Sequence, residues 1–349
     1  MLTMRQLAES LGLNRGTVSA ILNGQAAKRG IAAATERRVL ESLEASGYVQ
    51  SRHALGLKAR GAEKVGVLQT GLYSRLVDAF NYFVDWNLAS GKPFELHAVA
   101  PRDILAGVKE MLARGVTRLI VVRSAQGPDN ALDEAAAPFL NRLQRMVIYN
   151  HDPGTCSPTD RLLLEQAGVC AVSCDRRGGW RELARLLRSL GHSQVALPER
   201  VIGLPGKDRT LADLFRAEGL EPQGLRGDDV PLKPDAACAR RLAARFLDVW
   251  RKERITAVAS SNDDIAAFFM VELLDHGVAV PGDVSVTGFN GIELGEALRV
   301  PLTTLAMPVE QMAAKTLELL MADGPRQEVS FPMRLVLRKS HGAANPNRG

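Results

Sequence analysis

The sequence predicts a small all-α unit of three short helices followed by a two-lobed, doubly wound α/β body. Three observations predict it. The first 47 residues place apolar side chains at helical spacing only. From Lys64 onward, short apolar runs alternate with amphipathic segments. That alternating part spans about 280 residues, more than one typical domain holds, which favours two lobes over one.

The elements follow in order. Thr3 is placed to N-cap a helix whose apolar positions Met4, Leu7, Ala8 and Leu11 recur with a 3.6-residue period, and Gly12 ends it. Asn14 is placed to cap the next, RGTVSAIL, in which Val18, Ile21 and Leu22 form one face. Thr17, Ser19 and Asn23 lie off that face with only short polar groups, which suits a surface pressed against something. Two short helices joined by a tight glycine-containing turn match the helix-turn-helix motif, whose second helix enters the major groove of DNA. A short core helix with incidental polar residues is the alternative. After QAAKRG, the segment IAAATERRVLESLEASG carries Ile31, Val39, Leu40 and Leu43 on a third apolar face, closed by Gly47. Residues 50–62, interrupted by Gly56 and Gly61, read as a linker.

In the body, the strand-like runs are KVGVL, FELHAV, TRLIVV, RMVIYN, VCAVSC, QVAL, TAVASS and VSVTGF. Helical segments such as ILAGVKEMLARG, WRELARLLRSLG, ACARRLAARFLDVW and DIAAFFMVELLDHG separate them. Parallel sheets with covering helices bind ligands outside the C-terminal ends of their strands, so a crevice is expected there.

Charge is distributed unevenly. Residues 1–64 hold ten Lys and Arg against five acids, whereas the rest holds 34 of each, so the whole excess of +5 sits in the first fifth of the chain. A small basic module on a neutral body fits a polyanionic partner, although a solvated basic surface would look the same. Four cysteines without CxxC spacing and six scattered histidines suggest buried thiols and neither a metal nor another cofactor. The first 20 residues contain Arg5, Glu9 and Arg15, and no apolar run is long enough to span a bilayer, so a cytoplasmic, membrane-free protein is expected.

Several stretches together resemble the LacI family of bacterial transcriptional regulators: TMRQLAESLGLNRGTVSAILNG, ATERRVLESLEASGY, VSCDRRGGWRELARLLRSLGHSQVAL, and AVASSNDDIAAFFMVELLDHGVAVPGDVSVTGFNGIEL followed by PLTTLAMPVEQM. The resemblance implies a helix-turn-helix domain over 1–49, a hinge over 50–62, a periplasmic-binding-protein-like effector and dimerisation domain over 63–341, and a disordered tail over 342–349. It puts Arg15, Gly16 and Ala20 at base-reading positions, where Arg15 alone can pair bidentately with guanine and Ala20 can at most touch a thymine methyl. Thr17, Ser19 and Asn23 match phosphate-contacting positions, and Thr3 is grouped with them. Lys28 and Arg29 could add phosphate contacts, and Ala54 and Leu57 match hinge residues that wedge into the minor groove. Effector-contacting positions fall on Asn262 and Asn290, with Arg209 a looser match. Tyr73 and Ser74 are added because they follow the first strand. The chain departs from the family in five places: Ala20 replaces the usual Arg, the loop QAAKRG is about three residues longer than the commonest one, Ala32 replaces a capping Ser or Thr, Gln50 replaces a Pro, and Asn290 replaces an Asp that grips sugar hydroxyls. Asn262 and Asn290 also fit ordinary cap or turn roles, and Asp263 and Asp264 fit helix caps.

The implied function is that of a homodimeric regulator, a repressor in preference to an activator, which binds a pseudo-palindromic double-stranded DNA operator under control of a small-molecule effector such as a carbohydrate. A protein co-regulator in place of the small molecule is one rival reading. From other classes, a solute-binding protein lacks its signal peptide, and an enzyme lacks any GxxxxGK[ST], GxGxxG or GxSxG constellation.

Overall fold

The computed structural model describes residues 8–22, 24–45, 64–69, 74–91, 94–98, 104–123, 136–151, 157–198, 207–225 and 235–345. The chain divides into two compact units, residues 1–62 and 63–349.

In the first unit a helix ends at Ser10, and Gly12 turns the backbone with φ of +63°, a conformation that costs glycine least. Helix α1 (Arg15–Leu22) follows, then a 3₁₀ turn over Ala27–Arg29, then α2 (Ala33–Ala45). Ala8, Val18, Ile21, Ala26 and Val39 make the core, with Leu11, Leu13, Leu22 and Ile31 partly buried around it. An Arg38 guanidinium donates to the Leu11 carbonyl at 2.6 Å, tying α2 to the turn.

The second unit has two six-stranded sheets. Lobe 1 runs β1 (Val65–Gln69), α3 (Ser74–Ser90), β2 (Phe94–Ala98), α4 (Ile104–Ala113), β3 (Arg118–Val122), α5 (Ala137–Leu140), β4 (Arg145–Tyr149), α6 (Pro158–Gln166) and β5 (Cys170–Asp175). Lobe 2 continues with α7 (Arg176–Ser189), β6 (Gln194–Leu197), α8 (Lys207–Ala217), β7 (Glu221–Gly224), α9 (Ala236–Val249), β8 (Ala257–Ala259), α10 (Asp263–Asp275), β9 (Ser285–Asn290), α11 (Leu294–Ala297) and β10 (Thr303–Ala306). The chain then returns through α12 (Val309–Met321) to β11 (Glu328–Pro332) and ends with β12 (Arg334–Val336).

The strand orders are β2-β1-β3-β4-β5-β11 and β7-β6-β8-β9-β10-β12, so each lobe repeats one doubly wound pattern and takes its last strand from the C-terminal segment. All pairings are parallel except β10 with β12. The central strands are buried along their whole length, which is why they read as unbroken apolar runs. The sequence runs do not include β7, β10, β11 or β12. EPQG and EVSFP carry prolines and pair on one side only, and TTLA and RLV are too short to show a period.

Two arginines fasten the returning segment to lobe 1. Arg118, at the start of β3, donates to the Leu320 carbonyl at 2.6 Å and pairs with Asp323 at 2.9 Å. Arg145, at the start of β4, donates to the carbonyls of Leu319, Gly324 and Pro325 at 2.9, 2.7 and 3.3 Å. Both side chains are buried, and together they satisfy carbonyls that the end of α12 would otherwise leave without partners.

The expected disordered tail from 342 is corrected for its first four residues. Gly342 N–H donates to Ser285 Oγ at 3.0 Å, Ala344 N–H donates to the Leu190 carbonyl at 2.8 Å, and buried His192 bridges Thr256 Oγ1 and the Gly342 carbonyl at 2.8 and 3.0 Å. The segment is held because polar groups at the start of β9 and, through His192, at the start of β8, together with the carbonyl after α7, pair with it. Residues 346–349 lie outside the described residues.

Arg145→Ala should lower the unfolding free energy by about 3 kcal/mol or more in urea titrations, because three carbonyls lose a charged donor. Burial lowers the His192 pKa, so the unfolded chain binds this proton more readily than the folded one. Stability should therefore fall as pH drops through the unfolded value near 6.5 toward the lower folded value, and His192→Gln should flatten melting curves across that window.

Candidate functional site

Helix α1 starts where its sequence dictates. Asn14 Oδ1 accepts from Thr17 N–H at 2.8 Å and from Thr17 Oγ1 at 3.1 Å, which makes Asn14 the N-cap. With Val18 and Ile21 turned into the core, Arg15 and Gly16 are exposed, and Thr17 and Ser19 are half-buried. Lys28 and Arg29 are exposed on the 3₁₀ turn. Ala20 differs from expectation: it is only 3% exposed, because the chain folds back and Gln25 N–H donates to the Ala20 carbonyl at 2.8 Å. As placed, its methyl belongs to the interior and cannot present itself to a base. Thr3, Asn23, Ala54 and Leu57 lie outside the described residues.

In lobe 2, β8 and β9 are neighbours, and their C-terminal ends bring Asn262 and Asn290 onto one edge of the sheet. Asn262 is the N-cap of α10, its Oδ1 accepting from Asp264 N–H at 2.8 Å and Ile265 N–H at 3.2 Å. That leaves the NH₂ as the group it could offer a ligand. The cap role expected of Asp263 and Asp264 is thus taken by Asn262. Asp263 is fully buried instead, accepting from Gly291 N–H, Ile292 N–H and Thr304 Oγ1 at 2.6, 2.8 and 2.6 Å. Asn290 has φ of +111°, an uncommon backbone for a residue with a side chain, and its carbonyl accepts from Met307 N–H at 3.1 Å.

In lobe 1, the edge at the ends of β3, β4 and β5 carries polar residues that sequence reasoning missed. Arg123 and Asp160 form a buried bidentate pair at 3.1 and 3.2 Å. Asn150 Nδ2 donates to the Arg123 carbonyl at 2.9 Å, and the Arg176 guanidinium donates to Asn150 Oδ1. The signal was available: each of Arg123, Asn150 and Arg176 immediately follows an apolar strand. Ser74 and Arg209 lie in α3 and α8, whereas Tyr73 is outside the described residues. Gly291, Ile292 and Met307 also border a groove of about 1140 Å³, whose charged lining is mostly acidic, Asp78, Asp85, Glu182 and Glu310 among it, with Arg334 and Arg338 as its basic members. Neither Asn262 nor Asn290 lines it, so the acidic groove and the amide-bearing edge are separate features.

Comparison with known proteins shows what the chain is similar to. A model for the periplasmic binding protein-like domain matches residues 184–341. The HTH-type transcriptional regulator GalS of Salmonella typhimurium is 26% identical over 338 residues, covering 91% of this chain and 89% of its own. The chain is thus similar, over nearly its whole length, to HTH-type transcriptional regulators. Among solved LacI-family structures, the Lac repressor dimer bound to operator and the anti-inducer ONPF matches with a TM-score of 0.70 at 20% identity, covering 98% of this chain and 99% of its own. The regulator CCPA from Weissella paramesenteroides, with bound glucose, matches with a TM-score of 0.63 at 17% identity, covering 80% and 99%. The LacI-family fold therefore extends over both lobes and the N-terminal unit.

Gly291 has φ of +76°, and a Cβ there would stand 2.5 Å from the Ala306 Cβ. Gly291→Ala should cost about 2 to 3 kcal/mol by chemical denaturation, since neither the backbone nor the neighbouring strand can yield cheaply.

Proposed function

We propose that this chain is a homodimeric LacI-family transcriptional repressor that works in the cytoplasm, each subunit placing α1 in the major groove over half of a pseudo-palindromic operator. The observation that carries the reading is the outward face of α1, where an exposed arginine stands beside short hydroxyl side chains on the basic unit of the chain. Arg15 supplies the base-reading fork, and Thr17 and Ser19 let the backbone approach phosphates. Lys28 and Arg29 add phosphate contacts, as do Thr3 and Asn23. The linker residues Ala54 and Leu57 wedge into the minor groove, which couples operator bending to how the two effector bodies are held.

A small metabolite, a carbohydrate or close relative, occupies the crevice at the strand ends. Asn262 and Asn290 contact it from lobe 2, with Tyr73, Ser74 and Arg209 around them. The glucose bound to the Weissella regulator supports this ligand class. Ligand binding favours one lobe arrangement and so changes operator affinity, typically by about 1 to 3 kcal/mol.

Selection from a random DNA library with the full chain should return a two-fold symmetric site. Neutralising about six phosphates gives a slope near −5 for log K against log salt. On that site Arg15→Ala should lose about 1 to 3 kcal/mol at one base pair per half-site and relax preference there, while Ser19→Ala weakens all sequences alike. Identical sequence profiles for the two variants would remove α1 from the groove.

A further inference from the structure

We infer that Asp263 is a positioning residue, which fixes the turn at Asn290–Ile292 and thereby sets where Asn290 stands in the effector crevice. The inference rests on the effector reading above. Three observations converge on it. The capping of α10 is done by Asn262, so Asp263 is released from the usual task of an acid at a helix start. Its carboxylate is fully buried and takes three donors, two from the turn that follows β9 and one from Thr304 on β10. The space around it is shaped for that purpose: at Gly288 a Cβ would stand 2.0 Å from Asp263 Oδ1.

The turn needs such a clamp. Asn290 holds a left-handed φ and Gly291 follows with another, so the backbone would relax toward ordinary conformations if released. Met307 N–H holds the Asn290 carbonyl from the β10 side, and Asp263 holds the next two amides from the α10 side. The two amides on Oδ2 and the Thr304 hydroxyl on Oδ1 favour the ionised form, while burial, the stronger influence, pushes its carboxyl above the ordinary range. The same side chain joins the N-terminus of α10, the end of β9 and the middle of β10, the elements that carry both ligand-contacting amides.

Hydrogen exchange on the full chain tests this. Asp263→Ala should speed exchange at Gly291 and Ile292 by about tenfold or more, while β8, the start of β9 and lobe 1 keep wild-type rates. Asp263→Asn retains one acceptor oxygen of weaker, neutral character, and should give a local acceleration of about threefold. In calorimetric titration with glucose, affinity should fall in the same order, with the asparagine variant between wild type and alanine. Unchanged exchange at Gly291 and Ile292, or an even acceleration across all of lobe 2, overturns the inference. If the alanine variant does not fold, the asparagine variant decides alone by the same local reading. Wild-type protein that ignores glucose would count against a sugar of that type as effector, and the exchange result would still decide the role of Asp263.

Discussion

The chain passes between its lobes three times, at Asp175–Arg176, from Ala306 to Val309 and from Pro332 to Arg334, and the apolar packing at these passages constrains everything else. Trp180 stacks on Phe289 with ring centroids 5.0 Å apart and planes 11° from parallel. Gly179 lets the backbone of α7 come so close to Met333 that a Cβ would meet the Met333 Cβ at 3.0 Å. Leu305, Met307, Met312 and Met333 belong to one buried cluster with Val65, Ile120 and Val147 of lobe 1. A cluster shared in this way packs the two sheets of the body against one another at the passages. Asn262 and Asn290, the amides proposed to contact the ligand, follow β8 and end β9.

The N-terminal unit obeys a different economy. Among the described residues its apolar cluster is small, so local devices matter more. The Asn14 cap, the glycine turn at Gly12 and the Arg38 contact with the Leu11 carbonyl each fix a piece of backbone independently of the core. The proposed DNA contact requires an open face on α1, and there this unit leaves Arg15 and Gly16 exposed with Thr17 and Ser19 half-buried beside them.

Much of this was legible in the sequence because the signals are local. The Asn14 cap, the glycine at position 12 and the fully buried strands of both sheets follow from residue type and spacing. What stayed hidden depends on contacts distant along the chain. Ala20 lies on the helix side that looks free in a wheel, and a turn five residues on covers it. Asp263 looks like a helix cap until Gly291, Ile292 and Thr304 arrive from 28 to 41 positions downstream. The edge strands β7, β11 and β12 lack their own periodicity and form because a neighbouring strand offers free backbone groups. Arg123, Asn150 and Arg176 each directly follow a strand of the first sheet and so fit the strand-end rule, but their mutual contacts join positions 26 and more residues apart.

The fastening of α12 by Arg118 and Arg145 has a consequence for how the protein is made. Lobe 1 occupies the first half of the chain, yet its sixth strand and the helix packed across β3, β4 and β5 are encoded after residue 308. Until the ribosome has released nearly the whole polypeptide, the guanidiniums of Arg118 and Arg145 lack their carbonyl partners and β5 has an open edge. The first half of the molecule must then wait, incompletely covered, for the last. A premature stop between β10 and the end of β11 would deprive the lobe translated earlier, leaving a nascent product with an exposed strand edge for chaperones or proteases to find.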